Sequence, residues 1–258
     1  MDTVTSSDGT RIAYDRLGDG PPVVLVSGGS TDRQANAGLA AELAGRHTVY
    51  NYDRRGRGDS GDTPPYAIAR EVEDIAAVIG AAGGRANLYG TSSGAALAMH
   101  AAAAGLPLAK LALWEPPYSV GGRPDLPADT ASVYRQLVDA GHRDQAVEYF
   151  MAKVVGLPPE FVASARQQPW WAQQEAIAHT LAYDAEIMGD YTLPVELARS
   201  VRVPTLILVG GASFGFMAQT ADALADLVPE AHRLTLEGQE HNVDPAVLAP
   251  ALVEFFAA

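Results

Sequence analysis

Asn87-Leu88-Tyr89-Gly90-Thr91-Ser92-Ser93-Gly94-Ala95-Ala96-Leu97-Ala98-Met99 reads as an apolar strand that ends in G-x-S-x-G and runs straight into an Ala-rich helix. Small residues at Gly90 and Gly94 let the chain reverse sharply between the two elements. The Ser92 hydroxyl is therefore expected to project above a sheet edge, at a helix N-terminus, where a nucleophile is useful. Glycine and serine are common, and the competing reading is an ordinary Gly/Ser turn capping a buried helix. The strand before the turn and the helix after it favour the nucleophile.

Upstream, Thr3 to Thr5 and Arg11 to Leu17 read as a hairpin about Asp8-Gly9. Val23-Val24-Leu25-Val26 reads as a strand buried on both faces. Its end, Ser27-Gly28-Gly29-Ser30, is a Gly-rich turn whose backbone N–H groups suit a developing negative charge, with Gly29 the expected donor; a tight strand-to-helix connection is the alternative. A helix over Gln34 to Ala44 leads to a strand over Thr48 to Tyr52, and a helix over Arg70 to Ala82 delivers the chain to the Ser92 strand. Between these, Asp53-Arg54-Arg55-Gly56-Arg57-Gly58-Asp59-Ser60-Gly61 alternates charge and glycine. It lacks a P-loop's Gly-Lys-Ser/Thr ending and reads as an ordered, salt-bridged surface loop without chemistry of its own.

Downstream, Leu108 to Trp114 is the next parallel strand, with Glu115-Pro116-Pro117-Tyr118 at its C-terminal end, the edge where open α/β sheets bind ligands. Strand–helix alternation then stops from about 119 to 200, replaced by amphipathic helical segments around Ser132 to Leu137, Gln145 to Val154 and Gln173 to Met188. It resumes with a strand over Val203 to Gly210, a helix over Ala218 to Leu227, a strand over Arg233 to Leu236 and a closing helix over Ala246 to Phe256. The expected architecture is an α/β core of residues 1–118 and 201–258, a mostly parallel sheet flanked by helices, with a helical cap inserted at 119–200. Tyr118, Phe150, Trp170, Trp171, Tyr183, Met188 and Phe214 are the expected apolar lining of a substrate pocket, with packing in the cap's own core as the competing role.

The 258 residues suit one such domain, and 48% hydrophobic with 19% charged residues is ordinary for a globular chain. A formal net charge of -13 disfavours a phosphate backbone as partner, so no nucleic acid is expected and a neutral small molecule is. The absence of cysteine excludes disulfides, thiolate zinc sites, iron–sulfur clusters and Cys nucleophiles. No G-x-G-x-x-G joins a strand to a helix and the histidines lack a paired-ligand spacing, so neither cofactor nor metal is expected. Residues 1–9 show no basic start followed by an apolar run, and no stretch is long and apolar enough to span a bilayer. A cytoplasmic protein without a membrane partner is the expectation.

A serine hydroxyl is a poor nucleophile at neutral pH and needs a base. Of six histidines, His47 and His232 begin strands, His100 lies within the helix after Ser92, and His142 and His179 belong to the inserted segments. Only His241 sits in a loop after the last strand, on the sheet edge of Ser92; capping the final helix is its alternative role.

Together these features resemble the α/β-hydrolase superfamily across essentially the whole chain. The resemblance implies an α/β-hydrolase fold and the chain order nucleophile, acid, histidine, with the acid usually after the strand at Thr205 to Val209. Here Gly210-Gly211-Ala212-Ser213-Phe214-Gly215-Phe216 contains no carboxylate. The substitute is Glu115, at the end of the strand after Ser92; haloalkane dehalogenases and zearalenone lactonases are similar in carrying an acid there. Gly90-Thr91-Ser92-Ser93-Gly94-Ala95 with Trp114-Glu115-Pro116-Pro117 resembles the lactonase arrangement. A strand-end salt bridge is the alternative for Glu115, and Asp222, Asp244 and Glu240 are rival acids. The resemblance also implies backbone N–H donors at Gly29 and Ser93, although Ser27-Gly28 replaces the usual His-Gly lead-in. The expected activity is cofactor-independent serine hydrolysis of an ester or lactone of a small, fairly hydrophobic substrate through an acyl-enzyme. Acyl transfer, C–C bond hydrolysis, perhydrolysis and ligand binding without turnover are the alternatives for the same pocket.

Overall fold

The computed structural model describes residues 1–257. Pro22–Val26 (β3), Ala86–Thr91 (β5), Leu108–Trp114 (β6) and Thr205–Gly210 (β7) are short, largely apolar strands, as required where helices cover both faces of a sheet. Val24, Val26, Leu88, Leu113 and Val209 pack into one apolar layer, while Val23, Leu25, Tyr89, Ala112 and Trp114 pack into the other. This is the two-residue period of a pleated strand. Asp2–Thr5 (β1) and Arg11–Leu17 (β2) form an antiparallel hairpin, and β2 pairs antiparallel with Thr48–Tyr52 (β4). All other pairings, out to Ala231–Leu236 (β8), are parallel.

The eight strands lie in the order β1-β2-β4-β3-β5-β6-β7-β8. The chain leaves β3 for β4 on one side and then crosses to β5 on the other, so its direction of winding reverses between β3 and β5. Carboxyl ends of strands at such a reversal leave a crevice. Both the Gly-rich turn after β3 and Ser92 after β5 stand at it.

Ala37–Leu43 (α1) follows a 3-10 turn at Arg33–Asn36, so the span expected as one helix is split. Ile68–Ala81 (α2) and Ser93–Ala103 (α3) cover the Val24 face. The insertion between β6 and β7 contains Thr130–Asp139 (α4), Arg143–Tyr149 (α5), Pro159–Ala165 (α6), Trp171–Ala176 (α7), Leu181–Met188 (α8) and Val195–Ser200 (α9). A π-helical turn at Phe150–Val155 extends α5. The stretch Gln173 to Met188, expected as one helix, is broken by a 3-10 turn at Ala178–Thr180, where the Thr180 hydroxyl donates to the Ile177 carbonyl (2.8 Å) and competes with the helical ladder. Gly215–Leu227 (α10) joins the α2/α3 layer, and Pro245–Ala257 (α11) packs with α1 on the opposite face. Among the described residues no helix is long and apolar enough to cross a membrane.

A third buried cluster, including Tyr134, Val147, Met151, Trp171 and Leu181, draws only on residues 131–185. Further along, Ile187, Met188, Tyr191, Leu193 and Ala198 join the sheet's own layer. The insertion thus has a private core, and its last stretch belongs to the packing of the sheet.

The loop at 53–61, expected at the surface, is exposed only around Gly58 and Asp59, and its arginines are buried. Asp53, Arg54, Arg55 and Arg57 are each at most 1% exposed. A buried guanidinium persists only where it is paired, and each of these is. Arg54 forks onto Glu71 (2.7 and 2.7 Å), Arg55 onto Asp74 (2.7 and 2.8 Å), Arg57 meets Asp184 (2.8 Å), and Asp53 accepts from Arg33. The acids that pair with the arginines come from other elements, Glu71 and Asp74 from α2 and Asp184 from α8, so the local alternation of charge and glycine gives no sign of burial.

Candidate active site

Ser92 joins β5 to α3 with φ 55° and ψ -127°, a conformation costly for a residue with a Cβ. Its surroundings impose it. A Cβ at Gly90 would collide with the Gly94 carbonyl, and one at Gly94 with the Ser27 carbonyl, so both glycines are needed for the turn to sit against the loop after β3. The Ser92 N–H donates to the Trp114 carbonyl (2.8 Å), fastening the turn to the end of β6. The Ser92 side chain makes no capping hydrogen bond to α3, which sets it apart from a plain N-cap serine.

Glu115 follows β6, also with positive φ (43°), and its carboxylate is fully buried. Oε1 accepts from the Gly210 N–H (2.8 Å), and Oε2 accepts from the Ser213 hydroxyl (2.9 Å) and lies 2.6 Å from His241 Nδ1. The loop after β7, which lacks an acid, instead supplies two donors to an acid on the neighbouring strand. A carboxylate is an acceptor, so Nδ1 carries the proton and Nε2 keeps its lone pair. The His241 backbone is fixed as well: its carbonyl accepts from the Trp114 indole N–H (2.9 Å).

Ser92 and His241 line one cavity of about 380 Å3, together with Gly28, Gly29 and Ser93. A Cβ on Gly28 would lie 3.2 Å from Ser92 Cβ, so the Gly-rich turn passes directly beside the nucleophile position. Ser93 opens α3, and neither its N–H nor that of Gly29 donates to a protein acceptor among the described residues. Beside both lies Asp184, from α8, which also lines the cavity. Burial pushes its pKa up, but Arg57 and Arg54, with hydrogen bonds from Arg57 and Ser93, outweigh burial and hold the carboxyl below the usual aspartate value.

Most of the cavity wall is apolar: Leu39, Phe150, Val154, Met188, Phe214 and Met217 contribute. Phe150, Met188 and Phe214 were expected there; Met217 belongs to α10. Four residues expected in the pocket do not line it. Tyr118 is buried in the sheet's layer, its carbonyl accepting from Thr220. Trp171 fills the private core of the insertion, with its indole N–H on Glu175 (2.6 Å), and Trp170 beside it is 38% exposed. Tyr183 stacks on Tyr66 (3.9 Å between centroids) and donates to Asp62 (2.8 Å). Tyr118, Trp171 and Tyr183 are large aromatics used for packing, and composition does not separate that use from a binding wall.

Two of the competing histidines and two of the rival acids are engaged elsewhere. His47 packs edge-on against Phe256, and burial lowers its pKa; His179 pairs with Asp62. Asp222 pairs with Arg233 (2.7 Å), and Asp244 accepts from the Ala246 N–H at the start of α11 (2.9 Å). No group of three His, Asp or Glu side chains among the described residues is arranged to hold a metal ion.

Residues 23–253 match the model of the alpha/beta hydrolase family. An alpha/beta hydrolase from Sphaerobacter thermophilus is 54% identical and superposes with a TM-score of 0.92, covering 99% of this chain and 100% of that one. A thermophilic esterase from Thermogutta terrifontis is 25% identical (TM-score 0.75; 99% and 97% covered). The enol-lactonase from Burkholderia xenovorans has the same fold at 21% identity (TM-score 0.72; 100% and 100% covered). Among curated proteins, Probable oxidoreductase EphD of Mycobacterium tuberculosis is 42% identical over 82 residues, which span 30% of this chain and 14% of that protein.

Proposed function

Because the chain belongs to the alpha/beta hydrolase family, we propose that it is a serine hydrolase cleaving an ester or lactone of a small, fairly hydrophobic substrate. The observation that carries this reading is the strained Ser92 on a cavity shared with His241, whose Nδ1 is held 2.6 Å from the buried Glu115 carboxylate. Ser92 Oγ attacks the substrate carbonyl carbon while His241 Nε2 takes its proton, and Glu115 stabilises the imidazolium. The N–H groups of Gly29 and Ser93 receive the oxyanion. Collapse returns the proton from His241 to the leaving alkoxide and leaves an acyl-Ser92. Water, deprotonated by His241, then releases the acid. From a lactone the product is a hydroxy acid.

Residues 119–200 act as a cap in this reading, roofing the cavity through Phe150, Val154 and Met188. A cavity of about 380 Å3 with mostly apolar walls suits a ligand of modest size whose scissile carbonyl is its main polar group.

Intact-protein mass spectrometry after treatment with a small fluorophosphonate tests the assignment. Wild type is expected to gain one phosphonyl adduct and the Ser92→Ala variant none, with p-nitrophenyl butyrate hydrolysed by wild type alone. An adduct retained in Ser92→Ala would refute the nucleophile.

A further inference from the structure

Asp184 belongs to the inserted helix α8, yet its carboxylate is lodged beneath two segments of the sheet domain. Oδ1 accepts from the Ser93 hydroxyl (2.8 Å) and from Arg54 Nη1 (2.8 Å), and Oδ2 accepts from Arg57 Nη2 (2.8 Å). A Cβ placed on Gly29 would meet Asp184 Oδ2 at 3.2 Å and Ser93 Oγ at 3.4 Å. One carboxylate therefore binds the Ser93 side chain and fills the space a side chain at Gly29 would need, with the two residues following different strands.

Arg57 extends the arrangement. Its Nη1 donates to the Gly28 carbonyl at 2.6 Å, and the Thr31 hydroxyl donates to the same oxygen at 2.9 Å. The Gly28 carbonyl and the Gly29 N–H are opposite ends of one planar peptide group. Clamping the oxygen aims the N–H the other way. Among the described residues Asp184 is the only carboxylate that pairs with Arg57, whereas Arg54 also has Glu71. Arg57 is 1% exposed, so without the Asp184 charge it is a buried cation lacking a counter-ion, and its grip on Gly28 is no longer fixed.

We propose that Asp184 is a positioning residue for the oxyanion donors: it orients Arg57, which sets the Gly28–Gly29 peptide, and it anchors Ser93 at the start of α3. The proposal rests on the serine-hydrolase reading above. It makes the docked insertion part of the catalytic geometry, since oxyanion stabilisation depends on donors held within about 0.5 Å of their productive positions.

The test compares wild type with Asp184→Asn and Ser93→Ala, reading kcat and KM on p-nitrophenyl butyrate, the Ki of an alkyl trifluoromethyl ketone, and Tm. The ketone carbon accepts Ser92 Oγ, the serine proton passes to His241, and the resulting hemiketal oxyanion depends on the same donors. Asp184→Asn is expected to lower kcat and raise the ketone Ki by a shared factor of about tenfold or more, with KM within about twofold. Ser93→Ala, which keeps the backbone N–H and loses only the hydroxyl, is expected to move both constants together by about threefold. A purely structural role moves Tm and leaves the ketone Ki alone. Active wild type with kcat and Ki unchanged in the variants overturns the proposal by itself, and if Asp184→Asn does not fold, Ser93→Ala decides. Wild type that neither hydrolyses the ester nor takes the fluorophosphonate overturns the hydrolase reading, and this proposal with it.

Discussion

Glu115 combines an unfavourable backbone conformation with a fully buried charge, and three donors converge on it. Replacing it by glutamine preserves the shape but presents an amide N–H where His241 Nδ1 needs an acceptor, which favours the wrong tautomer. Glu115→Gln is expected to lower kcat about 1,000-fold or more, with little change in KM, in steady-state ester hydrolysis. Ser213→Ala removes one hydrogen bond to the carboxylate and leaves the Gly210 and His241 contacts, so a loss of about tenfold in kcat is expected. At this scale the sequence was informative about residues picked out by their place in the chain. His241 stood out as the histidine after the last strand, and Glu115 as the carboxylate at the end of β6. Ser213 and Gly210 were not legible, because their contact with Glu115 arises only when β6 and β7 lie side by side.

The turn between β5 and α3 works through its glycines. A methyl group at position 94 has no room against the Ser27 carbonyl, so the turn or the loop after β3 must move. Gly94→Ala is expected to destabilise the protein by about 1–3 kcal/mol, visible as a lower Tm, and to lose ester hydrolysis even where it stays folded. Elements of this kind were readable because one local cause dominates each of them: β3 and β6 are apolar runs, and the motif around Ser92 needs strand, turn and helix in sequence. The insertion was less readable. Its helices are short and interrupted, so α6 and α9 gave no periodic signal and the break at Ala178–Thr180 was hidden inside an amphipathic stretch. The arginine loop was read correctly as salt-bridged but wrongly as exposed at its arginines, since charge normally marks a surface and the acids that neutralise it lie on other elements.

For the whole molecule, the buried charges tie the insertion to the sheet domain. Asp184 faces Arg54 and Arg57, with Glu71 across Arg54 and Tyr66 beyond it. Removing its charge while leaving the arginines buried is expected to cost about 3 kcal/mol in Asp184→Asn. The cost depends on pH. The folded-state pKa of Asp184 lies below its ordinary value of 3.8, so its stabilisation is complete above about pH 4 and is lost as pH falls through the depressed value. The Tm difference between wild type and Asp184→Asn is therefore widest near neutrality and narrows on acidification below about pH 4. Burial raises the pKa of Asp53 and Asp74, so these favour the folded state as pH falls; both are present in the two proteins and cancel in the comparison. A gap that stays constant from neutral to acid solution would separate the Asp184 effect from its charge.

With the proposed acid, Glu115, at the end of β6, the stretch after β7 is left a different task. Beyond Ser213, Phe214 and the start of α10, with Phe216 and Met217, form part of the cavity wall, and none of them belongs to the proposed proton relay. This part of the wall is thus separate in sequence from Ser92, Glu115 and His241. Libraries restricted to positions 214, 216 and 217 are expected to shift the preferred acyl chain length while fluorophosphonate labelling of Ser92 persists. On the proposed reading, this wall can be exchanged without altering Ser92, Glu115 or His241.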